Sequence, residues 1–283
     1  MEEARAAVER AKKELQKPFL SKKSKAENAA HHLERAGHMF KSRNRHSDAA
    51  DCFKQAADLL YTTGDAQNRI SAAGLTEAAG IQQRLDKNEN AGELMDRAAT
   101  MYVEIGKGRK AADLTHRLGE ALEVNGEFQQ AAARFRQAAD LYAGEGEDNS
   151  ALQCVEKAAV ASAASEDPDL QEAARLFEQI GLAAQASRNN LRSPKHFFRA
   201  VLCIMASGDA IGARAKQDEF AQTNFRYGTT REGKFAAELV SAMESFSLAQ
   251  FSSAYRGAYC LLHARVTRGR ARAFDARRFS GDA

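Results

Sequence analysis

Apolar residues return along this chain at three- and four-residue steps. Leu33, Ala36 and Phe40 make one stripe, and Ala50, Phe53, Ala57 and Leu60 make the next. That spacing marks amphipathic helices with one buried face. Between the stripes lie clusters of turn residues: SRNRHSD, TTGD, DKNEN, GKGRK, VNGE, GEGEDNS and SEDPD. They are about one helix apart and predict an alternation of helix, short loop and helix. Ser47 or Asp48, Asp65, Asn149 or Ser150, and Asp167 are the expected N-caps. No alternating run bounded by hairpin turns competes, so the fold class is all-α.

The stripes are also copies of one another. Ala49–Tyr61 (AADCFKQAADLLY) returns as Ala91–Val103 and Ala131–Ala143, and more weakly as Ala173–Ala184. The large apolar residue of each copy is Phe53, Met95, Phe135 and Phe177, at steps of 42, 40 and 42. A period of that length predicts stacked helical hairpins, because one hairpin cannot bury its own apolar face. Such stacks are binding surfaces.

The ends break the period. Residues 2–17 read as a charged helix with Ala7, Val8, Ala11 and Leu15 on one face, closed by Pro18, and Pro18–Lys25 reads as a loop. After Asn190 come three helical stretches, Ser193–Ser207 with Pro194 in its first turn, Ala213–Thr223 and Glu232–Ser245, then a last helix over about Leu248–Ala264. The expected division is therefore 1–25 for the first helix and loop, 26–190 for the repeat stack, 191–264 for a C-terminal helical bundle, and 265–283 for a disordered basic tail.

Charge adds a polarity to this picture. Residues 1–48 hold 12 Lys+Arg against 7 Asp+Glu, and residues 264–283 hold 6 Arg against 2 Asp. With a net charge of +3 overall, the body between them is acidic. Basic ends suit an anionic lipid surface or an acidic partner, or are simply solvated faces. The four cysteines, Cys52, Cys154, Cys203 and Cys260, are widely spaced and predict free thiols in a reducing compartment. No secretory signal is expected, and no apolar run approaches the roughly 20 residues that span a bilayer. A cytoplasmic protein with at most peripheral membrane contact is the expectation.

Catalytic and cofactor chemistry finds no support. Gly106–Lys110 (GKGRK) lacks the spacing and the Ser/Thr of a phosphate loop. His31, His32 and His38 have no nearby Cys and no metal-ligand spacing, and nothing pairs a nucleophile with a base. The basic tail has no interleaved aromatics, so nucleic acid is not expected.

The ordered series AADCFKQAADLLY, RAATMYVEIGKGRKAA, FRQAADLYAGEGEDNSALQCVEKAA and SPKHFFRAVLCIMASGDAIGARAKQDEF, over about Glu3 to His263, resembles the soluble NSF attachment proteins (SNAPs), closer to the alpha/beta type than to gamma. The resemblance implies a twisted stack of tetratricopeptide-like hairpins with a C-terminal helical bundle. It implies a non-enzymatic adaptor without cofactor. Such an adaptor binds syntaxin-type SNARE complexes, several copies per bundle though monomeric alone, and recruits the hexameric ATPase NSF in vesicle transport. By position it implies a membrane loop at Pro18, Phe19, Leu20, Lys22 and Lys23, with Lys25 beside it. It implies a SNARE-binding basic face from Lys107, Arg109, Lys110, Lys157, Arg188, Arg192, Lys195 and Arg199. Asp218, Glu219, Glu238 and Glu244 stand as the NSF-facing acids. Two departures are visible: Asp113 and Gln153 occupy places where the family tends to carry lysine. The family's Leu-rich ending is also missing from the Arg-rich tail. The alternative is a generic tetratricopeptide-like scaffold that holds a helix or peptide without stimulating NSF.

Overall fold

The computed structural model describes residues 2–85, 91–186, 192–250 and 252. Among the described residues there are thirteen helices and no strand: α1 (Glu2–Gln16), α2 (Lys22–Lys41), α3 (His46–Tyr61), α4 (Ala66–Leu85), α5 (Ala91–Glu104), α6 (Gly108–Asn125), α7 (Phe128–Gly144), α8 (Asp148–Ala164), α9 (Leu170–Ala186), α10 (Ser193–Ala206), α11 (Ala210–Thr223), α12 (Phe225–Thr229) and α13 (Arg231–Glu244). The all-α expectation holds. The chain forms two compact units, Met1–Leu118 with Gln137–Ala151, and Gly119–Arg136 with Leu152–Ala283, so the division passes through α6, α7 and α8.

Alanine makes the packing close. In the first unit Ala4, Ala7 and Ala11 of α1, Ala29 and Ala36 of α2, Ala49 and Ala56 of α3 and Ala72 and Ala79 of α4 are all buried. The repeat residues Phe53 and Met95 are buried among them. A ring that large fits against a neighbouring helix only where that helix has no side chain. Gly37 faces Phe53, and a Cβ there would lie 2.6 Å from the ring. The second unit repeats the device sixteen residues apart, with Gly119 against Phe135 and Gly181 against Phe197. Its core continues through Phe197 stacked on Phe220 at 4.4 Å, with Tyr227 edge-on to both. The Tyr227 hydroxyl is satisfied by Gln217 inside that core.

Helix ends follow a shared chemistry. Gly106 and Gly146 adopt left-handed φ values of 68° and 75°, and the following N–H reaches back to Tyr102 O and Tyr142 O at 2.8 and 2.9 Å. This closes the helices with the six-to-one bond of a glycine-terminated end.

Several expected details are corrected. The segment read as a loop from Pro18 to Lys25 is only five residues long: Ser21 caps α2 by accepting the Ser24 N–H, and the lysines lie on the helix. Leu15 is exposed, and the buried residues of α1 are Ala4, Ala7 and Ala11. Asp65 caps α4 as expected, accepting from Gln67 and Asn68. Neither Ser47 nor Asp48 caps α3, which starts at His46 after Arg45. Asn149 and Ser150 lie inside α8, which starts at Asp148. At α9 the cap is Asp169, through Glu172 N–H, and the Asp167 carbonyl instead accepts from Ser165. The short α12 was not foreseen. The expected helix beyond Leu248 falls almost wholly, and the tail 265–283 entirely, outside the described residues.

Candidate functional site

The turn between α1 and α2 sets an aromatic side chain in solvent. Phe19 is 97% exposed, while Leu20 is half-buried. Phe19 does not fold back onto the first hairpin. Lys17 pairs with Glu14, Lys22 is exposed, and Lys23 bonds Asp65 at 2.8 Å. That bond raises the Lys23 pKa and lowers that of Asp65. The loop thus pairs one fully exposed ring with a lysine-rich rim, as two structural facts about its sequence: Pro18 ends α1 and Ser21 starts α2 before the chain can turn the ring inward.

The predicted basic set divides between the two units. In the first, Arg109 pairs with Glu147 at 2.8 Å, Lys110 lies 5.4 Å above the Tyr102 ring, and Lys107 is half-buried in the loop before α6. The Tyr102 hydroxyl donates to Glu77, and burial together with that carboxylate raises its pKa. In the second unit Lys157 bonds Glu120 at 2.6 Å and lies 5.1 Å from the Phe135 ring centre. Arg199 repeats the arrangement, bonding Glu156 at 2.6 Å and lying 5.4 Å from the Phe177 ring centre. Arg192, just before α10, and Lys195 are exposed. Arg188 lies outside the described residues.

Lys157 and Arg199 occupy one position of the repeat. Each follows the large residue of its hairpin by 22 positions, Phe135 and Phe177 respectively. The same offset from Met95 reaches Arg117 in the first unit, which faces Glu77 at 3.5 Å. Sequence reading passed over Arg117, although counting 22 from each repeat residue finds it. Each cation meets a carboxylate from the preceding even-numbered helix, and Lys157 and Arg199 also lie over a ring of their own hairpin. The departure at Asp113 also has a structural role: Asp113 accepts a hydrogen bond from the Tyr142 hydroxyl of α7. Gln153 is exposed.

His196 lies among these cations on α10 but carries no charge near neutrality. It is buried, its Nδ1 has no hydrogen-bond partner, and burial pushes its pKa down to about 4 against the pull of Glu156. Of the acidic candidates, Glu244 takes Arg214 in a two-pronged bond and Glu219 pairs with Lys216 at 3.0 Å, while Asp218 and Glu238 are exposed. The Arg214 bond lowers the Glu244 pKa. Among the described residues no cluster of His, Cys, Asp or Glu is placed to hold a metal, and no helix is long and apolar enough to cross a membrane. Cys52, Cys154 and Cys203 are buried thiols outside any disulfide.

Comparison with known proteins agrees with the ordered repeats. The family described as "Soluble NSF attachment protein, SNAP" matches residues 2–257. The alpha-soluble NSF attachment protein of Mus musculus is 30% identical over 238 residues, covering 82% of this chain and 78% of its own. That of Vitis vinifera is 25% identical with 82% and 79% coverage, and the vesicular-fusion protein SEC17 of Komagataella phaffii is 27% identical with 77% and 73% coverage. By the extent of that match, the chain belongs to the soluble NSF attachment protein family.

Proposed function

We propose that this protein is a SNARE-complex adaptor. It binds assembled SNARE bundles, recruits the NSF ATPase for their disassembly in vesicle fusion and intracellular transport, and performs no catalysis itself. The observation that carries the reading is the family match along residues 2–257, joined to relatives named for NSF attachment and vesicular fusion. Exposed or edge-held cations on α6, α8 and α10 support contact with an acidic helical bundle, because such groups steer and orient acidic partners without deep burial. In this reading Lys107, Arg109, Lys110, Lys157, Arg192, Lys195 and Arg199, with Arg117 added, grip the bundle. Asp218, Glu219, Glu238 and Glu244 face NSF. Several copies act on one bundle.

The same reading places the protein on the cytosolic face of membranes through Phe19. Burying one exposed Phe contributes about 2–3 kcal/mol, and each lysine near an anionic surface adds about 1 kcal/mol. Leu20, already half-buried, adds less than a second free apolar side chain would.

The deciding assay is disassembly of a SNARE complex by NSF and ATP with this chain as sole adaptor. Disassembly that depends on the chain is expected. Failure of the chain to bind any SNARE bundle at low salt overturns the reading in favour of a general helical scaffold. Repeating the assay without residues 265–283 tests whether the Arg-rich tail takes part in NSF stimulation.

A further inference from the structure

The second unit presents its cations already paired. Lys157 lies between the Phe135 ring and Glu120, and Arg199 between the Phe177 ring and Glu156. The two sides of each cation differ. Phe135 and Phe177 are wholly buried and hold the cation from the core side. Glu120 and Glu156 are on the solvent side, with side chains 47% and 38% exposed. The Lys157–Glu120 pair, with side chains 36% and 47% exposed, contributes little to stability, so folding alone gives weak reason for that carboxylate; Arg199 is more enclosed, its side chain 15% exposed. Glu120 lies on α6 and Glu156 on α8, and each reaches the cation of the next even-numbered helix.

We propose that Glu120 and Glu156 are internal stand-ins for the carboxylates of an acidic helical bundle, so that binding proceeds by carboxylate exchange on Lys157 and Arg199. This rests on the adaptor reading above and adds its selectivity. When a partner's carboxylate replaces the internal one, the cation stays over its ring, so little side-chain order is lost on binding. Each exchange must also break an existing pair. A sparsely charged helix gains nothing by it, whereas a bundle with several aligned acids does, which is discrimination by an opposing interaction. The carboxylates thereby set how acidic a partner must be.

The test is binding of a soluble SNARE four-helix bundle, free of membrane and NSF, to Glu120→Gln with Glu156→Gln. The control is Glu127→Gln with Glu166→Gln, which removes the same charge from two exposed sites outside the two pairs. Glutamine keeps the size and one hydrogen bond of each side chain. At low salt the first pair is expected to bind at least about threefold more tightly than the control. The gap should close in about 0.5 M salt, where the Debye length is only a few ångströms. A bundle with part of its surface acids neutralised should gain more from the first pair than the native bundle does. Equal affinity of the two double variants, or a gap that survives high salt, overturns the exchange while leaving the adaptor reading intact. A parent chain that does not bind the bundle overturns both.

Discussion

Replacing Gly37 by alanine tests the packing on which the repeat depends. Alanine in place of glycine inside a helix stabilises by about 1 kcal/mol when nothing obstructs it. At Gly37 the new Cβ would stand 2.6 Å from Phe53 Cε1 and 2.8 Å from Cδ1. Normal carbon contact is about 3.5–4.0 Å, so the ring must retreat by about 1 Å. Phe53 is 1% exposed, and the His38 ring meets it edge-on at 5.2 Å, so the retreat disturbs a filled core. Overpacking of this kind costs about 1–3 kcal/mol. The net expectation is a loss of about 0–2 kcal/mol. Gly74 is the internal comparison, within the same unit and the middle of α4. A Cβ there meets only the Tyr102 hydroxyl at 3.9 Å, so Gly74→Ala should gain nearly the full 1 kcal/mol. Urea unfolding followed by far-ultraviolet circular dichroism separates the two variants by about 1–3 kcal/mol. Phe53→Leu, which removes the obstructing ring edge, should rescue Gly37→Ala with a coupling of about 1 kcal/mol. If Gly37→Ala stabilises as much as Gly74→Ala, or adds independently to Phe53→Leu, the close approach is not what glycine serves there.

Three further outcomes are expected. His196 has a folded pKa pushed down to about 4, below its ordinary value, so the folded state favours the neutral ring. The stability this confers is complete above about pH 6.5 and is lost as pH falls towards 4, amounting to about 2 kcal/mol between pH 7 and pH 5. His196→Asn should flatten that part of the stability profile, and an unchanged slope would refute the assignment. Burial pushes the Cys52 thiol up to about 11, and Cys154 and Cys203 are also buried. Titration with a thiol reagent should therefore show at most one fast cysteine in the native protein and four after unfolding. Phe19→Ser should weaken binding to anionic liposomes by roughly thirtyfold, the equivalent of about 2 kcal/mol. Leu20→Ser should weaken it less, and equal effects would refute the distinction drawn between the two side chains.

Much of the architecture was legible in the amino-acid order because it is periodic and local. A helix needs only a stripe at three- and four-residue steps, and Phe53, Met95, Phe135 and Phe177 announce the hairpins through their spacing. Caps were less legible. Several polar residues near a helix start compete for one position, and the choice of Asp169 over Asp167 depends on where the backbone turns. The Pro18–Lys25 segment was read too long for a related reason: lysines say nothing about whether a helix has begun, whereas one Ser21 hydroxyl positioned on Ser24 N–H does. The site was legible as residue types and not as pairings. Lys157 and Arg199 stood out as cations, but Arg117 did not, and none could be assigned a partner.

The sequence by itself determined the all-α class and the repeat, because those rest on spacing along one chain, and its ordered segments carry the resemblance to the family. Only the tertiary structure decided which charges meet. Glu120 and Lys157, or Glu156 and Arg199, are separated by a whole hairpin and come together only when successive helices pack side by side. It also decided that Phe19 is in solvent while Phe53, an equally apolar side chain, is sealed against Gly37. Both outcomes depend on what stands opposite a side chain in space, a quantity that periodicity along the chain does not contain.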